Sequence, residues 1–278
     1  MMIRQSFIEM NARERATGLL DPTSFRELLG PFERIKSPWL PLQSIVAQAD
    51  DGVVLGRGLI DGRSAFVASI EGAFQGGSMG EVSGAKIAAA LELAHRDCER
   101  GRPTIPLLLF ETGGVRLQEA NLGLAAIAEI HAGIIAVREF VPVIGVLAGM
   151  VGCFGGMSLA AALCTRLIVT RQARLGMNGP EVIEQEAGMD ELDASDRTLI
   201  WKLMGGEQRY ATGFADDLVE DDAAVIATAV RRAVTMGVGA EPRSRQISQY
   251  MTRLAAIDSQ RLPTPVALRH LWQTGLVA

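Results

Sequence analysis

Apolar positions in the first third of the chain fall into short runs of strand length. Residues 44–49, 53–60 and 64–70 are separated by Asp51-Gly52 and Asp61-Gly62. Asp-Gly between apolar runs is a strong hairpin signal, so this region predicts an antiparallel meander. Before it, residues 1–43 read as a polar helical arm. Its stretch 21–27, opening Asp21-Pro22-Thr23-Ser24, predicts a capped helix start, and Pro38 and Pro41 predict a loop.

The pattern then changes to apolar blocks that end in glycine. Residues 105–110 run into Glu111-Thr112-Gly113-Gly114 and then a helical pattern from Val115 to about Arg138. Residues 141–147 run into a glycine-rich turn ending at Gly155-Gly156, then a small-residue helix through 158–162. Continuous apolar runs of this length predict strands buried on both faces. Ahead of them, residues 71–80 hold Gly72, Gly76, Gly77 and Gly80 and lead into a helix over 82–99, whose Ile87, Leu91 and Ala94 make an apolar face. Further on, the pattern predicts strands at 167–170 and 174–177 and a helix opening at Pro180. Helices follow over 196–204 and 222–236, with a turn and short strand within 211–219 between them. Gly237-Val238-Gly239 predicts a hinge, and an amphipathic run at 245–257 opens a helical C-terminal tail. The strand, glycine turn and helix recur three times. The fold class is therefore α/β, with repeated ββα units forming a superhelix: an arm (1–43), a core (44–236) and a tail (237–278).

Composition narrows the function classes. A chain of 278 residues, 48% hydrophobic, can bury a large core. A formal net charge of -5, with no lysine or arginine block, argues against nucleic acid and against a membrane surface. The first residues lack the apolar stretch of a signal peptide, and no apolar run is long enough to span a bilayer, so a cytoplasmic location is expected. Cys98, Cys153 and Cys164 have spacings that suit neither a disulfide framework nor a cysteine zinc site; no metal is expected.

Glycine pairs at strand-to-helix turns let backbone N–H groups approach a ligand, and a helix N-terminus leaves such groups unpaired. One such pair is an ordinary tight turn; two held together could stabilise an oxyanion or enolate. Side chains offer less. Arg116, at the first turn of its predicted helix, reads as a structural partner of a nearby carboxylate. His95, His131 and His270 fall in helical patterns away from the glycine turns and read as packing or surface residues. Cys153 has no histidine near it in the sequence to activate it as a nucleophile.

Phe74-Gln75-Gly76-Gly77-Ser78-Met79-Gly80, Glu111 through Glu119, Gly152-Cys153-Phe154-Gly155-Gly156 and Leu175 through Glu184 follow one another in a distinctive order and spacing. That order resembles the acyl-CoA carboxyltransferase family, whose usual forms are GGSMG, D-S-G-G-A-R-[IL]-Q-E, C-A-G-G and G-F-A-G-P-R-V-I. Four motifs in sequence over about 110 residues are far more specific than one glycine pair. The resemblance implies a crotonase (ClpP-like) fold of ββα units. Within the family the chain is most similar to the beta subunits of biotin-independent malonate decarboxylases. It lacks the four-cysteine ribbon of bacterial acetyl-CoA carboxylase beta subunits, and the stretch from Leu199 to Gly206, with Arg209 and Gly213 through Val219, looks like the decarboxylase subunit. Glu111-Thr112 in place of Asp-Ser departs from the family's pattern.

The resemblance implies decarboxylation of a malonyl thioester to an acetyl thioester and CO2, through an enolate held by backbone oxyanion holes. Gly113, Gly114, Gly155 and Gly156 are then the expected catalytic positions, and Phe74, Gly76, Gly77 and Val115 the substrate-binding ones. It further implies no cofactor bound by this chain. The substrate would ride on the CoA-like thioester prosthetic group of an acyl carrier protein, although free coenzyme A stays open. Implied partners are a gamma subunit of the same fold, the acyl carrier protein and an acyl carrier protein transferase subunit. Two alternatives stand beside this: the beta half of a biotin-dependent acyl-CoA carboxyltransferase, and a non-catalytic scaffold subunit.

Overall fold

The computed structural model describes residues 4–239, 241–258, 260–261 and 263–274, so the extreme ends of the predicted arm and tail lie outside the described residues. In chain order the elements are α1 (Ala12–Gly18), β1 (Arg26–Leu28), β2 (Val53–Ile60), β3 (Arg63–Ile70), α2 (Glu81–Glu99) and β4 (Ile105–Phe110). Then come α3 (Asn121–Val137), β5 (Ile144–Leu147), α4 (Gly156–Leu163), β6 (Arg166–Thr170), α5 (Pro180–Ala187), α6 (Arg197–Met204) and α7 (Gly206–Ala211). β7 (Asp217–Val219), α8 (Ala223–Met236), α9 (Ile247–Ala255) and α10 (Pro265–Thr274) complete the described chain.

β1 to β7 form one sheet in sequential order. The first two pairs are antiparallel and the rest parallel. The β2–β3 hairpin turns at Asp61-Gly62 as its sequence predicts, with left-handed φ values of 48° and 74°. All six residues of β4 are buried, as expected of a parallel strand covered on both faces. α1 and α8 pack on the sheet, α2 packs on it too, and α3 packs on α2 and α4.

A second, shorter ladder makes the ββα repeat visible. The segments that leave the main strands pair in parallel through Met79 with Val115, Thr112 with Cys153, and Cys153 with Leu175. Each glycine-rich segment is therefore the second β of its unit.

Three local expectations are corrected. Residues 21–27 do not start a helix. The Asp21 carboxylate instead accepts from the N–H groups of Asp61 (3.0 Å) and Gly62 (2.8 Å) in the hairpin turn, and β1 follows as an edge strand on β2. The actual cap is a capping box of Asn11 and Glu14 on α1. Residues 44–49 are not a strand. Asp51 turns its carboxylate into the interior, so Asp51-Gly52 serves a buried ion pair rather than a hairpin tip. The predicted helix from Val115 is broken: Arg116 is extended and residues 117–119 form one 3₁₀ turn. Ala120 then takes φ 44° before α3 begins. The Met79 pairing of Val115 holds that backbone out of a helix. The arm is also part of the common core, through Phe7, Ala16 and Leu19.

Candidate active site

The two predicted glycine turns meet. A Cβ built on Gly155 would lie 3.4 Å from the Gly114 Cα, and one on Gly114 would lie 3.1 Å from the Phe154 carbonyl oxygen. Gly114 (φ 109°) and Gly155 (φ 59°) both occupy backbone conformations that L side chains rarely adopt. The turns are locked together by backbone bonds: Thr112 N–H donates to Gly152 O (2.8 Å) and Phe154 N–H donates to Thr112 O (3.0 Å).

The amides of the four glycines differ. Gly113 N–H donates to Gly76 O (2.9 Å) and Gly155 N–H to Met177 O (2.8 Å), so both already have backbone acceptors. Gly114 N–H donates to the buried Thr112 Oγ1 (3.1 Å), a side-chain acceptor rather than a backbone one. Gly156 is the first residue of α4, where a helix offers its N–H no internal acceptor. Val115 presents a further amide: its ladder with Met79 uses Gly114 O and Arg116 N–H, which leaves the Val115 N–H pointing the other way, about the Gly155 turn.

The remaining expected positions surround this contact. Gly76 supplies the acceptor for Gly113, and a Cβ on Gly76 would meet open space. Gly77 (φ 64°) passes so close that any side chain would collide with the Glu111 carbonyl. Phe74 does not line the turns directly; its ring covers the Arg116 guanidinium at 5.3 Å.

Beneath the first turn lies a buried charge network. The fully buried Arg116 guanidinium donates to Asp51 Oδ1 (2.9 Å) and Oδ2 (3.0 Å), to Glu119 Oε1 (2.9 Å) and to Ser78 O (3.1 Å). Glu119 also accepts from Ser37 Oγ (2.7 Å) and Glu81 N–H (2.7 Å), and Asp51 from Ser83 N–H (2.9 Å). Burial pushes the Asp51 carboxyl above its usual range despite Arg116. Burial pushes Glu119 the same way, but its bonds to Ser37, the Glu81 amide and Arg116 outweigh that and hold it below the usual range. Arg116 is thus a clamp between the first turn, the Asp51 loop and the N-terminus of α2.

Two contacts at the site were not read from the sequence. Arg15 on α1 forms a buried ion pair with Glu111, at the end of β4, and also donates to Phe7 O (2.9 Å). His131, expected away from the glycine turns, lies with Nε2 2.7 Å from Gly156 O. A carbonyl only accepts, so Nε2 carries the proton. Residue 131 follows Ile127 by one helical turn, and a Cβ on Gly156 would meet Ile127 Cγ2 at 2.8 Å. That i, i+4 spacing on the apolar face of α3 is the signal that could have found it. The Cys153 thiol is fully buried, and burial pushes its pKa well above the ordinary value, so it is no nucleophile.

The model of the carboxyl transferase domain matches residues 9–247. A Pseudomonas malonate decarboxylase hetero-tetramer, solved in complex with malonate, contains a chain 58% identical to this one. The match has a TM-score of 0.95 and covers 96% of this chain and 97% of that one. A chain of the Pseudomonas malonate decarboxylase MdcD-MdcE hetero-dimer is 54% identical, with a TM-score of 0.77 over 91% of this chain and 97% of the other. Malonyl-S-ACP:biotin-protein carboxyltransferase MADC of Malonomonas rubra is 46% identical over 227 residues, 78% of this chain and 71% of that protein.

Proposed function

The chain belongs to the carboxyl transferase domain family, and from that premise we propose that it is the beta subunit of a malonate decarboxylase. It releases CO2 from a malonyl thioester and, once the α-carbon of the resulting enolate takes up a proton, leaves an acetyl thioester. Breaking the bond to the carboxylate puts two electrons on the α-carbon, which delocalise onto the thioester oxygen as an enolate. Catalysis requires donors already aimed at that oxygen; losing one costs about a hundredfold to a thousandfold in rate. The contact between the Gly114 and Gly155 turns is the observation that carries this reading. In this proposal Gly114 and Gly156, with the neighbouring Val115 amide, supply the donors, and the positive end of α4 adds to them. Gly113 and Gly155 shape the turns, and Gly76, Gly77 and Phe74 support the substrate side. The carboxylate supplies its own electron pair, so no strong base is needed in the bond-breaking step.

The malonyl group is carried as a thioester on the prosthetic group of an acyl carrier protein; the name of the Malonomonas relative includes malonyl-S-ACP for that protein. The Pseudomonas relatives are hetero-oligomers. By that likeness a gamma subunit of the same fold completes the pocket, and carrier-protein and transferase subunits deliver the substrate. The test is reconstitution. The chain alone should release no CO2 from a malonyl thioester, and adding the gamma subunit should restore release. Full activity from the purified chain alone would refute the need for a second subunit, and no activity from any assembly would refute the decarboxylase.

A second reading is favoured by the same relative's name, which includes a biotin protein as carboxyl acceptor. Under it the chain passes the carboxyl group to biotin rather than releasing CO2. Avidin that stops turnover would establish this reading, and CO2 release unaffected by avidin would exclude it.

A further inference from the structure

Arg209 on α7 is a cation without a carboxylate partner among the described residues. Its Nε donates to Leu175 O (2.7 Å), and its guanidinium lies over the Phe214 ring at 5.8 Å. No ion pair to it forms, in a chain where seventeen such contacts are present among the described residues. The side chain is half-buried, and burial lowers its pKa, although an arginine stays protonated there. Its two terminal nitrogens therefore offer an unclaimed fork, the geometry that binds a carboxylate by two parallel hydrogen bonds.

The fork belongs to a cleft of about 200 Å³ lined by Arg209, Ser158, Leu159, Leu175, Met177 and Phe214, among others. The cleft shares walls with the second glycine turn: Met177 O accepts the Gly155 N–H (2.8 Å), and Ser158 Oγ donates to Gly155 O (2.7 Å). Most of the lining is apolar, which strengthens attraction for an anion. The volume falls below the roughly 300–1,000 Å³ of pockets for drug-sized ligands. It suits a head group of a few atoms, not a pantetheine arm.

Resting on the function proposed above, we infer that this cleft is a carboxylate subsite in which Arg209 recognises the free carboxylate of a short dicarboxylic acyl thioester. The acetyl product lacks that carboxylate and loses the contact, so the subsite separates substrate from product. Because the carboxylate leaves as neutral CO2, the contact weakens as the bond breaks. Arg209 therefore contributes to binding and not to the chemical step.

Malonyl-pantetheine and acetyl-pantetheine carry the arm common to carrier proteins and coenzyme A, and both are measured on the assembled complex. Arg209→Gln should raise the KM for malonyl-pantetheine about tenfold to a hundredfold, the range for a lost charged hydrogen bond. kcat should be unchanged or higher, and inhibition by acetyl-pantetheine unchanged. Ala162→Glu, on the cleft wall, leaves Arg209 in place but sets a competing carboxylate before it, and should raise KM in the same way. It decides the matter if Arg209→Gln does not fold. Equal weakening of malonyl and acetyl probes, an unchanged malonyl KM, or a fall in kcat alone would overturn the assignment. If the wild-type complex releases no CO2, the proposed function fails instead. The subsite is then judged by equilibrium binding: wild type should prefer the malonyl probe and Arg209→Gln should not.

Discussion

Gly114 and Gly155, one from each glycine turn, face each other so closely that a Cβ on either would lie 3.4 Å from the other's Cα, and both have φ values closed to ordinary side chains. Alanine at Gly114 adds strain at φ 109° and a contact at 3.1 Å with the Phe154 carbonyl. Gly114→Ala should therefore lose about 1–3 kcal/mol of stability and at least a hundredfold in the chemical step. Melting temperature and single-turnover CO2 release on one preparation check both; a normal rate would remove Gly114 from the donor set.

Gly156→Ala separates the two effects, because Gly156 sits in helical backbone and the nearest obstacle to its Cβ is the Ile127 side chain, which must shift from 2.8 Å. Its fold should survive, with a modest fall in melting temperature, while the rate falls through displacement of the α4 N-terminus. Unchanged single-turnover release would show that this N-terminus does not face the enolate.

His131 holds the carbonyl of the same residue. His131→Phe should slow turnover about twofold to tenfold, the worth of one net hydrogen bond, and His131→Gln should recover part of the loss. Equal rates in both variants would mean that the bond does not position the turn.

Arg15→Met leaves Glu111 buried without its partner. The loss should be about 3–5 kcal/mol, a fall in melting temperature of roughly 10 °C. Removing residues 1–20 should act at least as severely, although the glycine turns lie far along the sequence. Calorimetry of both variants checks this.

Glu119 gives a pH test. Its folded pKa lies below the ordinary 4.5, so its stabilisation is complete above 4.5 and is lost as the pH falls through the lower folded value. Asp51 has the opposite sign: its folded pKa lies above 3.8, so its contribution worsens as the pH rises through that window. Glu119→Gln should be less stable than wild type at pH 7, and the gap should shrink as the pH falls below 4.5. Denaturant melts between pH 7 and pH 3 measure that gap; a gap independent of pH would deny Glu119 its charged role.

The periodicity of the chain alone determined the parallel core, the Asp61-Gly62 hairpin, α2, α5, α6 and α8. In those places local propensity and burial agree: an apolar block ended by glycine has few alternatives to a buried strand and its turn. The motif order likewise singled out the four glycines of the two turns, because close backbone approach demands glycine wherever it occurs. The tertiary structure decided which amides remain free. Gly113 and Gly155 are occupied by Gly76 and Met177, partners 37 and 22 positions away along the chain, which no local pattern records. It also decided that Asp21 would bind a hairpin turn instead of capping a helix, and that Asp51 would pair with Arg116. Short polar side chains satisfy several backbone arrangements equally well, and the choice falls to whichever buried group most needs a partner. For the same reason Arg15 carries no sequence signal of its role, and the spacing that puts His131 on the apolar face of α3 does not name its partner: each acts on an element brought near only by the folding of the sheet.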